Sequence, residues 1–155
     1  MSNVRRRLVM VVAMCLCAVS GGCIHGMETP GNFVNVEQYG DGFVVRAISA
    51  DGVVVGLRQQ VNPDNGTLDF WAQAIENEMQ AAKGYRLVKK ENVTSSAGRP
   101  GRWMEFTVQQ PGGTFRYINV VYVAQKAVLI AEAGGKDAAV ESHMADIRKA
   151  MLSVH

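Results

Sequence analysis

The sequence predicts an α+β fold in which an antiparallel β-sheet of about six strands is packed by helices, in the order β-β-α-β-β-β-β-α. Three observations predict it. Short β-type runs are separated by dense clusters of turn residues. Two stretches repeat apolar residues at three- and four-residue spacing, as amphipathic helices do. The longest β-type run is apolar on both faces, so layers must cover both sides of the sheet.

The elements follow in chain order. Phe43 to Ser49 and Val53 to Val61 are β-type runs, and Asp51-Gly52 between them is a hairpin signal, because both residues tolerate the positive φ of such turns. Asn62-Pro63-Asp64-Asn65-Gly66 ends the second run. Thr67 is placed to cap a helix, with Asp69 in the first turn where the helix dipole favours an anion. Leu68, Trp71, Ile75, Met79 and Ala82 form its apolar stripe, and Gly84 stops it.

Four more strands are expected, over Tyr85 to Thr94, Arg102 to Gln109, Thr114 to Ala124 and Ala127 to Ala133. In the third of these, Phe115, Tyr117, Val121 and Val123 point one way, and Ile118, Val120 and Tyr122 the other. Gly134-Gly135 reads as a break before a last helix over about Asp137 to Ser153, with Val140, Met144, Ile147 and Met151 as its buried stripe.

The N-terminus is of a different kind. Arg5, Arg6 and Arg7 precede a 12-residue apolar run from Leu8 to Val19, followed by Ser20-Gly21-Gly22-Cys23. A basic start, a short apolar stretch and a small-residue exit form a secretory signal. The run is too short for a transmembrane helix, which needs about 20 residues. Ser20 to Cys23 resembles the lipobox of bacterial lipoproteins, with Ser20 where the pattern prefers leucine. The expected organisation is a signal peptide over 1–22, a tether over 23–41 that begins at a lipidated Cys23, and one domain over 42–155. The alternative is cleavage after Ser20 or Gly22, which gives a soluble periplasmic protein. Ile24 after the cysteine, rather than an acid, favours the outer membrane.

Cysteine and charge agree with export. All three cysteines lie within the first 23 residues, so a mature domain has no thiol for a disulfide or a metal. The chain has 16 basic and 14 acidic residues; removing the three signal arginines leaves 13 basic against 14 acidic. Nothing in that balance points to nucleic acid, whose binders need a clustered basic face.

Gly42-Phe43-Val44-Val45, Asp51-Gly52-Val53-Val54-Val55, Phe70-Trp71, Gly84-Tyr85, Gly101-Arg102-Trp103-Met104 and Ala131-Glu132-Ala133-Gly134-Gly135 together carry a likeness. Over roughly residues 42 to 154 the chain resembles the PsbP-like superfamily, which includes DcrB-like bacterial envelope lipoproteins. The resemblance implies an α/β/α sandwich around an antiparallel sheet. It also implies an accessory, assembly or binding role without catalytic residues.

No catalytic, metal or cofactor site is expected. His25, His143 and His155 lack partners at ligand spacing. Gly134-Gly135-Lys136 lacks the flanking residues of a phosphate loop, and Asn62 to Gly66 lacks the acids of a calcium loop. No serine sits in a nucleophile elbow with a histidine–acid pair in evident reach. An enzyme would need a pocket gathering acids such as Glu105 and Glu132. Arg99, Arg102, Trp103 and Arg116 are the candidate partner-binding group, since arginine and tryptophan are favoured interface anchors. The expected function is a non-enzymatic envelope lipoprotein, held to the membrane by its lipid, that binds an envelope protein or helps a complex assemble. The alternative is a periplasmic carrier of a small apolar or lipidic ligand.

Overall fold

The computed structural model describes residues 25–36 and 42–155. Residues 1–24, which hold the expected signal peptide over 1–22 and the expected acylation site Cys23, and residues 37–41 lie outside the described residues. Among the described residues seven strands form one sheet: β1 (Phe33–Asn35), β2 (Phe43–Ser49), β3 (Val54–Val61), β4 (Arg86–Thr94), β5 (Pro100–Gln110), β6 (Gly113–Ala124) and β7 (Ala127–Lys136). Their order is β1-β2-β3-β7-β6-β5-β4, and every neighbouring pair is antiparallel. The connection after β3 carries helix α1 (Leu68–Asn77), prolonged by a π-helical turn over Glu78–Ala82, and delivers the chain to the far edge at β4. Tight turns then fold β4 to β7 back until β7 lies beside β3.

The alternation read in the sequence decides the layers. Trp71, Ala72 and Ile75 of α1 and Met79 of the π-helical turn pack on Met104, Phe106, Val121 and Ile130 on one face of the sheet. Helices α2 (Asp137–Ser142) and α3 (Met144–Leu152) cover the other face, where Val140, Ile147 and Met151 meet Val55, Leu57, Trp103, Ile118, Val120 and Leu129. The result is an α/β/α sandwich. Thr67 caps α1 as its position predicts, its hydroxyl accepting from the Phe70 amide at 3.2 Å.

Three details differ from the sequence reading. Residues 25–36 are not a tether. Met27 and Phe33 are only 6% and 7% exposed and join the α2–α3 side of the core. Gly26 and His155 exchange backbone hydrogen bonds at 3.2 and 3.3 Å, the Glu28 amide donates to Ser153 Oγ at 2.7 Å, and β1 adds a seventh strand beside β2. The ordered domain therefore begins well before residue 42. The Gly, Pro, Thr and Asn content of this strap hid two large apolar side chains that find partners over 100 residues away.

Gly134 and Gly135 do not break β7 either, because they pair with Tyr117 and Arg116 of β6 and the strand runs on to Lys136. The last helix is two helices. They meet at His143, whose backbone leaves the helical region (φ −103°, ψ 5°). Its ring is held 3.1 Å from both Asp51 carboxylate oxygens and stands edge-on to Phe33.

Candidate functional site

The four residues singled out as partner-binding do not share a surface. Arg102 and Trp103 are consecutive in β5, so they face opposite sides of the sheet. Arg102 lies on the α1 side and donates to Asp69 of α1 at 2.6 Å. Trp103 is fully buried, donates its indole N–H to Glu105 at 2.8 Å, and lies beneath the Arg148 guanidinium of α3. It is a core residue and offers no surface. Arg116 is spent as a staple, donating to Asp137 and Glu141 of α2, each at 2.7 Å. Burial alone would lower its pKa, but these two carboxylates more than offset that and raise it. Arg99 stands apart at the β4–β5 turn, with one guanidinium N–H directed to the Val123 carbonyl at 3.4 Å.

The acids Glu105 and Glu132 lie on opposite faces of the sheet. Glu105 sits with Trp103, between Lys89 and Arg116, each 3.7 Å away. Glu132 accepts from Arg58 Nε at 2.9 Å and from the Tyr117 hydroxyl at 2.7 Å. Glu105 is buried and Glu132 half-buried, each with cationic compensation, the arrangement a structural acid requires. They form no catalytic pair.

The fold does assemble Ser49, Asp51 and His143, which sequence reasoning left apart. The carboxylate links the two: Ser49 Oγ donates to Asp51 Oδ1, and His143 Nε2 lies 3.1 Å from both oxygens of the same group. The Ser49 hydroxyl is hydrogen-bonded to Asp51 and Val53 and His143 to Asp51, which is a different arrangement from the serine–histidine contact of a serine hydrolase. Ser49 Oγ also accepts the Val53 amide at 2.9 Å, which makes it a turn-stabilising residue. Those contacts, the serine hydroxyl foremost, hold Asp51 below the usual carboxylate pKa. Among the described residues no group of three His, Cys, Asp or Glu side chains is placed to hold a metal. No helix among them is long and apolar enough to cross a membrane.

The concave feature that the sequence did not reveal lies on the α1 side. Helix α1 packs over β5, β6 and the start of β7, and leaves open that face of β2, β3 and the Glu132–Gly134 part of β7. The open region forms a cleft of about 320 Å³, lined by Phe43, Arg46, Arg58, Tyr85, Tyr117, Glu132 and Gly134 among others. A second hollow of about 150 Å³ toward Lys83 shares Arg58, Tyr117 and Glu132 with it. Strand position explains the convergence: Val54, Gly56 and Arg58 share one face of β3, and Glu132 and Gly134 share the matching face of β7.

Two glycines make the floor. A Cβ on Gly56 would lie 2.6 Å from the Phe43 ring, and one on Gly134 would lie 2.8 Å from the Tyr117 ring. Both aromatics therefore lie flat across the strands where any side chain would lift them. Above the floor, Arg58 stacks 4.1 Å from the Phe43 centroid, with Arg46 at 5.3 Å, while Tyr85 and Tyr117 meet at 6.1 Å. Burial first, and then the neighbouring Glu132 charge, push the Tyr117 hydroxyl far above the usual phenol range. It stays a proton donor to Glu132 at every physiological pH. An isolated glycine inside a β-type run is the one sequence signal for such a close approach, and Gly56 carried it.

No family model matches the chain, and no curated protein matches it in sequence. Solved structures do match in shape. A solution structure of cyanobacterial PsbP from Synechocystis superposes with a TM-score of 0.62 at 13% identity, covering 84% of this chain and 85% of that one. LpqN of Mycobacterium tuberculosis, described as involved in cell envelope biogenesis, gives 0.65 at 11% identity over 84% and 81%. A Pseudomonas aeruginosa protein of unknown function gives 0.51 at 15% identity over 79% and 96%. Identities this low speak for architecture and leave function open. The antiparallel sheet, its helices on both faces and these superpositions agree: the chain has the PsbP-like fold.

Proposed function

We propose that this protein is an envelope lipoprotein, anchored through Cys23 and facing the periplasm, whose domain serves without catalysis as a protein-binding or assembly accessory factor. The observation that carries the binding role is the preformed Phe43–Tyr117 cleft. It combines flat aromatic surface with two arginines, the residue types that dominate interface energetics. Its one carboxylate is already committed to Arg58 and Tyr117, which leaves no base at the floor. The signal-like N-terminus supports the address, and the described role of LpqN in envelope biogenesis is consistent with it.

The cleft is open and half polar, so it suits side chains of a partner better than an acyl chain, which needs enclosure by apolar walls. That weighs against the lipid-carrier reading. A photoreactive amino acid placed at Tyr85 in living cells tests the proposal, with Val88, exposed on β4, as control. Tyr85 is expected to give a discrete cross-linked envelope protein that Arg46→Glu abolishes. If cleft positions yield only the diffuse adducts seen from Val88, the binding role is wrong.

A further inference from the structure

The docked strap fixes how the domain meets its membrane. Only Ile24 and His25 separate Cys23 from Gly26, and Gly26 is held by paired backbone hydrogen bonds to His155. Three residue steps, each at most about 3.3–3.6 Å, let Cys23 reach about 10 Å from that point. The headgroup layer of one leaflet is about 5–8 Å thick, taken as half the difference between total and hydrocarbon thickness. The anchor can barely span that layer before the folded domain begins. A flexible tether over 23–41 would have allowed a stand-off of roughly 25 Å.

The register shows which end is held down. The turns Asn62–Gly66, Ser95–Arg99 and Gln125–Lys126 share one end of the sheet, because Val61 pairs with Ala127, Thr94 with Pro100 and Ala124 with Ala127. The Ser96 amide donates to the Leu152 carbonyl at 2.7 Å, so the end of α3 and the adjoining His155 belong to this end. The Tyr117–Gly134 row of the cleft lies toward the other end, near the turns at Gly52 and Gly112.

We infer that the acylated protein sits directly on a phospholipid bilayer, with the Gly26–His155 edge and the Ser95–Arg99 turn at the headgroups and the cleft turned away from them. This rests on the reading of Cys23 as the acylated residue. It gives the cleft a direction, toward partners that approach from the periplasm.

Depth-dependent quenching on the full-length, acylated protein tests it. Ala97→Cys at the membrane end and Gln110→Cys at the distal end each add the one free thiol, since the signal cysteines are removed and Cys23 is blocked. Eleven-residue β5 separates them by roughly 35 Å. Each is labelled with a fluorophore and reconstituted in phosphatidylethanolamine–phosphatidylglycerol vesicles containing a headgroup-nitroxide lipid. Quenching is expected to be at least threefold stronger at 97 than at 110, and a 12-residue Gly-Ser insertion after His25 should erase the contrast. Equal quenching at both sites, or stronger quenching at 110, overturns the orientation while leaving the lipoprotein reading intact. Intact mass reads that premise separately: a species without diacylglycerol on Cys23 refutes the anchor and the inference with it.

Discussion

Phe33→Ala is the substitution that most directly tests whether the strap belongs to the fold. Phe33 is 7% exposed, pairs with Ser49 through β1, and touches the His143 ring at the α2–α3 break. Burying such a side chain is worth about 1.5–3 kcal/mol in transfer free energy. Truncation to alanine adds a cavity term, and phenylalanine in full cores loses about 3–5 kcal/mol. The three-residue edge strand can partly collapse into the gap, so a loss of about 3 kcal/mol is expected. At this chain length that lowers Tm by roughly 10 °C. Val34, the next residue, is 70% exposed, and Val34→Ala should stay within about 0.5 kcal/mol. Urea unfolding of both variants, with unchanged m-values, measures the difference. If Phe33→Ala is as silent as Val34→Ala, the strap is a tether after all and the membrane geometry loses its basis.

Three further outcomes follow from the cleft and the core. Glu132→Gln removes the charge that Arg58 and Tyr117 share; with Arg58 partly solvated, the cost is about 2 kcal/mol in urea unfolding, and Tyr117→Phe in the same background should add less than it does alone. Gly134→Ala forces the Tyr117 ring off the floor and should cost about 1–3 kcal/mol with a change in near-ultraviolet circular dichroism; an unchanged spectrum would contradict the packing. Burial raises the Tyr122 pKa from 10.0 to about 12, so the stability it confers is complete below pH 10 and lost as pH rises toward 12. Absorbance titration of the phenolate should show Tyr122 ionising late, and Tyr122→Phe should remove that part of the alkaline destabilisation.

The candidate partner residues show where sequence reasoning reached and where it stopped. Arginine and tryptophan at 99, 102, 103 and 116 were identified by type, and type alone does not say what lies opposite. Trp103 was closed off by α3, Arg102 was claimed by Asp69 and Arg116 by α2. The cleft residues were legible singly, as strand aromatics and charges. Their convergence depends on the pairing of β3 with β7, strands about 70 positions apart, and on the short reach of α1.

Strand periodicity, the Thr67 cap, the helical stripes and the two-sided character of β6 were determined by the sequence alone. Each is set by neighbours within a few positions, and the resemblance to the PsbP-like superfamily rests on the same local pattern. The tertiary structure decided what the strap does, why Gly134 and Gly135 stay in a strand, where the last helix breaks, and that a cleft exists. In each case the deciding partner is distant in sequence: Ser153 for Glu28, Tyr117 for Gly134, Asp51 for His143. Local patterns are blind to such contacts, because only the assembled sheet and its helices bring the two surfaces together.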